Sequence, residues 1–191
     1  PAPSARERDP DCQALARLPV VAAPSPPILG PGSCGAALPV ALSAVTLTDG
    51  REVTIAPAAT LTCAAAVAAA RLIRDDLAPA AAEAGVKLSG VHVAASYVCR
   101  GRNNRKGAKM SEHGLANAVD LSGFSFDEGR RLGVYDDALP KEFAAALKPA
   151  ACARFATVLG QGSDGLHEDH LHLDLRKRRN PQSRLCQWTV D

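Results

Sequence analysis

The sequence predicts an α+β fold in one domain: a small antiparallel sheet with flanking helices. Three observations carry this expectation. Helix-like and strand-like segments are mixed without the regular strand–helix–strand alternation of a parallel sheet, and no internal repeat is visible. Two β-rich runs flank Asp49-Gly50, a dipeptide suited to a tight hairpin turn. At 191 residues the chain is long enough for one real core and too short for two ordinary domains.

Pro1, Pro3, Pro10, Pro19, Pro24, Pro26, Pro27 and Pro31 exclude long helices before about Gly35 and favour extended chain. Residues 1–35 therefore read as a proline-rich arm, with Cys12 and Cys34 available to tie it down, ahead of a domain over 36–191. Ser43-Ala-Val-Thr-Leu-Thr and Arg51-Glu-Val-Thr-Ile form the expected hairpin. Thr60 to Leu77 reads as the first long helix, with Thr62 as N-cap, Ala66, Ala69, Ala70 and Ile73 at helical spacing, and Pro79 beyond it. A second helix is expected from Pro140 to about Leu159, where Phe143, Ala146, Leu147 and Ala151 share a face. Gly90 to Val98, Ala116 to Leu121 and His170 to Leu175 read as strands.

Composition removes several function classes. Hydrophobic residues at 47% and charged residues at 22% fit a globular protein. Aromatic residues are only 4%, which predicts a core of Ala, Val and Leu with little stacking and leaves few platforms for single-stranded nucleic acid. A net charge of +2 is too slight an excess to imply a nucleic-acid partner. No stretch is long and apolar enough to cross a bilayer, and the start lacks a signal-peptide core, so an exported protein would be present in mature or trimmed form.

The six cysteines, Cys12, Cys34, Cys63, Cys99, Cys152 and Cys186, lie far apart, and no C-x-x-C pair occurs. An even, scattered set predicts disulfides and an oxidising compartment, periplasmic or secreted; the alternative is six buried free thiols in a cytosolic protein. The pairing is not readable from the sequence.

The candidate chemistry lies in two clusters. His167-Glu-Asp-His-Leu-His-Leu-Asp-Leu places three of the five histidines within six residues. On a strand, the period of two puts His170, His172 and Asp174 on one face and the leucines on the other. Ser111-Glu-His-Gly-Leu-Ala-Asn-Ala-Val-Asp adds an imidazole and a carboxylate separated by small residues that allow close backbone approach. His113, Asp120 and His172 can meet as three ligands with a fourth position open, the donor set of catalytic rather than structural zinc. His92, alone on its strand, reads as an ordinary hydrogen-bonded histidine.

Ser111-x-His113-x6-Asp120 followed by His170-x-His172 resembles the signature of a group of zinc metallopeptidases. The group includes D-Ala-D-Ala carboxypeptidases, penicillin-insensitive murein endopeptidases, lysostaphin-type enzymes and hedgehog signalling domains. The sequence is more similar still to the bacterial extensin-like C-terminal domain family, through Ser96-Tyr-Val-Cys-Arg-Gly-Arg-Asn, Ser111-Glu-His, Asn117-Ala-Val-Asp-Leu-Ser-Gly-Phe, Thr157-Val-Leu-Gly and the histidine run, over roughly Cys12 to Cys186.

The resemblance implies a hedgehog/D-Ala-D-Ala-peptidase-like fold and Zn2+ held by His113, Asp120 and His172. It implies His170 as general base or acid and His167 as auxiliary proton donor, with Asp169, at the carboxypeptidases' base position, and Glu168 as further candidates. Arg100 matches an arginine that holds a substrate carboxylate or stabilises an oxyanion. Arg102, Arg105, Lys106 and Lys109 read as a solvated basic loop, and Arg176-Lys-Arg-Arg as a run able to meet anionic wall polymer. Ala116 departs from the carboxypeptidase pattern, which has glycine three residues after the first ligand. The implied activity is hydrolysis of peptidoglycan stem peptides or cross-links by a monomeric enzyme in a Gram-negative periplasm. The alternative is a non-catalytic, metal-containing wall-binding or regulatory module.

Overall fold

A computed structural model describes residues 2–104 and 107–189; Arg105 and Lys106 of the basic loop lie outside the described residues. The chain opens with two short helices, α1 (Ala5–Arg8) and α2 (Pro10–Ala16), whose free N–H groups are capped by the side chains of Ser4 and Asp9. The strands that follow are β1 (Val20–Pro24), β2 (Ile28–Leu29), β3 (Gly35–Ala36), β4 (Val40–Thr46) and β5 (Glu52–Leu61). Helix α3 (Cys63–Arg71) runs through a π-helical segment (Leu72–Leu77) into α4 (Ala78–Glu83). Then come β6 (Leu88–Ala95), β7 (Ala118–Phe126), β8 (Arg131–Gly133), α5 (Lys141–Arg154), β9 (Thr157–Leu159), β10 (Leu171–Asp174) and β11 (Leu185–Gln187).

The mixed α/β character matches the expectation, but the sheet is neither small nor wholly antiparallel. It has nine strands in the order β1-β4-β5-β6-β7-β10-β9-β11, with β8 also on β7. The β5–β6 and β9–β11 pairs are parallel. A parallel neighbour needs a crossover, and the α3–α4 helix pair supplies it between β5 and β6. The proline-rich arm joins the sheet as well: β1 pairs with β4 from Val20↔Val45 to Pro24↔Val40.

The hairpin forms where expected, with Thr46 opposite Glu52 and Gly50 at φ +83°. Thr62 caps α3, its hydroxyl accepting the Ala65 N–H at 3.2 Å. Thr60 and Leu61 belong instead to β5, and Pro79 does not end the helix. The π-helical segment directly before it widens the turn where a proline ring would crowd the carbonyl four residues back. Helix α5 starts after Pro140 but stops at Arg154, because Phe155 turns extended and leads into β9.

The helices cover one face of the sheet. Val119 and Leu121 of β7 and Leu173 of β10 meet Ala69, Leu72 and Ile73 across this interface. The alanine side of α3, with Ala65, Ala66, Ala69 and Ala70 buried, lets the helix lie close to the strands. All four phenylalanines are buried. Phe143 of α5 sits edge-on to Phe124 and Phe126 of β7, with ring centroids 4.9 and 5.1 Å away. Three of the four phenylalanines thus form one packed cluster in the core, and Tyr135 and Trp188 make a separate edge-on pair.

The cysteines form three disulfides, Cys12–Cys63, Cys34–Cys99 and Cys152–Cys186, so none is a free thiol. They join α2 to α3, the arm to the segment after β6, and α5 to β11. Disulfides in this number fit an extracytoplasmic protein. Among the described residues no helix is long and apolar enough to cross a membrane. Replacing Cys12 and Cys63 together by serine should cost about 2–5 kcal/mol of unfolding free energy, read as a lower urea midpoint under non-reducing conditions.

Candidate metal centre

Alternation along β7 turns Val119 and Leu121 toward the helices and Asp120 toward the opposite face. The antiparallel register of β10 on β7 places His172 directly opposite Asp120. Leu171 and Leu173, both fully buried, anchor β10 in that register.

The third residue arrives from the connection between β6 and β7. A 3-10 turn, Glu112–Leu115, carries His113, and the Ser111 hydroxyl accepts the His113 N–H. The turn packs tightly against its surroundings: a Cβ on Gly114 would lie 2.6 Å from Met110 Sδ and 3.2 Å from Cys34 Sγ. The Cys34–Cys99 disulfide holds the same region. Ala116 ends the turn at φ +51°, a left-handed conformation, with its carbonyl accepting the Thr62 N–H at 2.7 Å. The departure from glycine thus falls on the residue whose backbone most favours glycine.

His113, Asp120 and His172 converge and are all buried. Asp120 Oδ1 lies 2.8 Å from His172 Nδ1 and 3.1 Å from His113 Nε2, and the two nitrogens are 3.1 Å apart. Each imidazole is gripped from behind. His113 Nδ1 donates to the Ser96 carbonyl at 2.5 Å, and His172 Nε2 donates to Asp174 Oδ2 at 3.0 Å. Both acceptors lack a hydrogen, so the rear nitrogen of each ring carries one and the other nitrogen is directed toward Asp120 Oδ1. Three such atoms this close together call for a cation between them, a proton or a metal ion. Their separations approach the edge of roughly 3.3 Å set by tetrahedral bonds of about 2.0 Å. The residues present fit a divalent metal ion.

The electrostatics agree. Burial opposes ionisation of Asp120, yet hydrogen bonds from His113 and His172 hold its carboxyl far below the usual range. Burial pulls the His172 imidazole down, but Asp120 and Asp174 overcome it and lift it to about 9. The field that favours a proton on Nδ1 favours a metal cation in its place.

The other sequence candidates surround this centre. His167 is buried, and its Nδ1 is 2.7 Å from Asp164 Oδ1. Burial lowers its pKa against the pull of Asp164. The His167 ring centroid lies 5.5 Å from that of His172 and 5.1 Å from that of His170. His170 Nε2 is 3.8 Å from Asp120 Oδ2, and its Nδ1 is 2.7 Å from Asp169 Oδ1. The Asp169 side chain is 92% exposed and reaches the centre only through His170. Glu168 turns away, accepting the Gly162 N–H at 3.1 Å. Arg100 lines a cleft of about 230 Å³ with His113, His167 and His172. His92 bonds Ser125 Oγ at 2.7 Å, the ordinary role expected of it.

Residues outside the sequence candidates complete the support. Asp174 orients His172, and Thr157 in turn hydrogen-bonds Asp174. The Asp174 side was legible, because a residue two along a strand shares the face of His172. Tyr135 left no motif; its hydroxyl donates toward the His170 carbonyl at 2.8 Å and accepts the Gln161 N–H at 2.9 Å. Burial pushes that hydroxyl up to about 12, which keeps it a donor.

A family profile described as "Extensin-like protein C-terminus" matches residues 11–187. No curated protein and no solved structure matches the chain significantly. The geometry predicts that Asp174→Asn weakens divalent-metal binding by roughly 10–100-fold while leaving the fold intact, measured by calorimetric titration and circular dichroism.

Proposed function

The chain belongs to the extensin-like protein C-terminus family, and from that premise and the donor geometry we propose a zinc-dependent peptidoglycan peptidase. It would be of the D,D-endopeptidase or carboxypeptidase type and act in the periplasm or outside the cell. The observation that carries the reading is the convergence of His113 Nε2, Asp120 Oδ1 and His172 Nδ1, with both rings held from behind, beside a polar cleft. A three-residue set of this kind leaves coordination positions for water and substrate.

Zinc in this set supplies a Lewis acid for the peptide carbonyl and a water acidic enough to attack near neutral pH. The protein's own groups do the rest. Ser96 and Asp174 orient His113 and His172 as ligands. Asp169 holds the His170 ring through Nδ1 and leaves Nε2 on the Asp120 side, where it takes a proton from the nucleophile and returns it to the leaving amine. His167, engaged through Nδ1 by Asp164, keeps Nε2 for a second proton transfer. Arg100 faces the negative charge that develops on the substrate.

One observation favours the non-catalytic alternative: Asp169, at the base position of the carboxypeptidases, is turned to solvent. Metal analysis tests the centre that both readings share, and cleavage by a zinc-retaining variant separates them. Metal analysis of protein purified without chelator should give one zinc per wild-type chain and none in His113→Ala or His172→Ala. His170→Ala should retain zinc and lose muropeptide cleavage by roughly 10²–10⁴-fold. Zinc-loaded wild-type protein that cleaves no cross-link or stem peptide would leave only the binding module.

A further inference from the structure

The cleft beside the metal triad carries more positive charge than the hydrolytic reading uses, since that reading calls only on Arg100. Arg100 and Arg102, from the segment after β6, line it together with Arg176 and Arg178, from the segment after β10. None of these four guanidinium groups makes an ion pair with a described residue. The carboxylates of the same cleft are already engaged. Glu112 accepts the Asn117 side-chain N–H at 2.8 Å, and Asp164 holds His167. Asp174 holds His172 and the Arg176 backbone N–H. Uncompensated positive charge in a partly enclosed cleft is poised for an anion.

Arg178 is the most built of the four. Its Nη2 donates to Thr157 Oγ1 at 2.7 Å, which fixes the guanidinium plane against β9. Its Nε–H is buried and has no hydrogen-bond partner among the described residues. Native folds rarely leave such a donor unmet unless a water or an ion supplies the acceptor. Arg178 also lines the cleft, and the guanidinium hydrogens that Thr157 does not use can meet the oxygens of a carboxylate there. Thr157 also hydrogen-bonds Asp174, which orients the metal ligand His172. Arg178, Thr157, Asp174 and His172 are therefore successive neighbours leading to the triad, with Thr157 opposite Asp174 in the β9–β10 register.

We propose that Arg178, anchored by Thr157 and flanked by Arg176, forms an oxyanion subsite that binds a free carboxylate of the peptide ligand beside the metal centre. The ligand class is thus an acidic peptide, one whose carboxylate lies within the same cleft as the bond presented to the triad. Only the identification of the ligand as a peptide rests on the proposed function; the anion subsite itself needs no metal.

The test is an NMR-monitored titration of the full chain with N-acetyl-D-alanyl-D-alanine and with its C-terminal amide, each with added zinc and again with chelator. The acid should bind roughly tenfold or more tightly than the amide under both conditions. Arg178→Gln should bring the acid down to the level of the amide. Arg178→Lys should keep part of the preference, because charge remains but the fork is lost. Should Arg178→Gln fail to fold, Thr157→Val, which frees the guanidinium, should lower the preference instead.

Equal binding of acid and amide, or a preference untouched in both Arg178→Gln and Thr157→Val, overturns the subsite. A preference that disappears with chelator assigns the carboxylate to the metal and also overturns it. Inorganic phosphate binding more tightly than the acid, in an Arg178-dependent way, overturns the carboxylate assignment. A chain that binds no zinc yet prefers the acid through Arg178 upholds the subsite and removes the peptidase reading.

Discussion

The register between β7 and β10 is the constraint on which the centre depends. His172 faces Asp120 because Leu173 pairs with Val119 and Leu171 with Leu121. These four apolar side chains are buried, and burying each is worth roughly 1.5–3 kcal/mol. A slip of one residue would send the leucines to the cleft side and both polar residues into the helix interface. Hydrophobic burial on one face of the sheet therefore fixes the polar geometry on the other. The flanking pairs β6–β7 and β9–β10 hold the two strands from outside, so the donors sit inside a wide sheet rather than on a mobile edge.

The third donor depends on a different kind of restraint. His113 sits on a short turn within an irregular connection, and its position is over-determined by side-chain and backbone contacts. The Ser96 carbonyl fixes the ring, Gly114 permits close contact with Met110 and Cys34, and the Cys34–Cys99 disulfide ties the connection to the arm. Ala116 holds a left-handed backbone that costs a non-glycine residue about 1–2 kcal/mol. The surrounding hydrogen bonds, including Thr62 N–H to the Ala116 carbonyl and Asn117 N–H to the Glu112 carbonyl, maintain it. Local strain beside a donor set is a common feature of functional sites.

Around the triad the charges are arranged by role. Acidic groups lie behind histidines: Asp174 behind His172, Asp164 behind His167 and Asp169 behind His170. Basic groups stand across the cleft without ion-pair partners among the described residues. The first arrangement keeps the imidazoles oriented and electron-rich, which suits metal ligation and proton transfer. The second leaves the cleft attractive to an anion.

Several features were legible because their signals are local. Thr62 and Pro140 mark helix starts, Asp49-Gly50 marks a hairpin, and the period of two in His170 to Asp174 orders the site face. The two clusters that supply the triad were also legible, since residue type and spacing name candidate ligands before any fold is known. The extent of the sheet was not, because β8, β9 and β11 are only three residues each and too short to show a period. Nor was the fate of the arm, since proline content forbids long helices without deciding which strand an extended segment joins. Whether Arg176 and Arg178 meet solvent or an anion was not legible, because a charge in sequence carries no address. Only the folded chain brings them across from Arg100, with Arg178 fixed to Thr157. The sequence by itself determined which imidazoles and carboxylates are available in the two clusters. The tertiary structure decided which of them meet and which charges face the same cleft, because strand pairing and loop placement are set by burial between residues far apart in the chain.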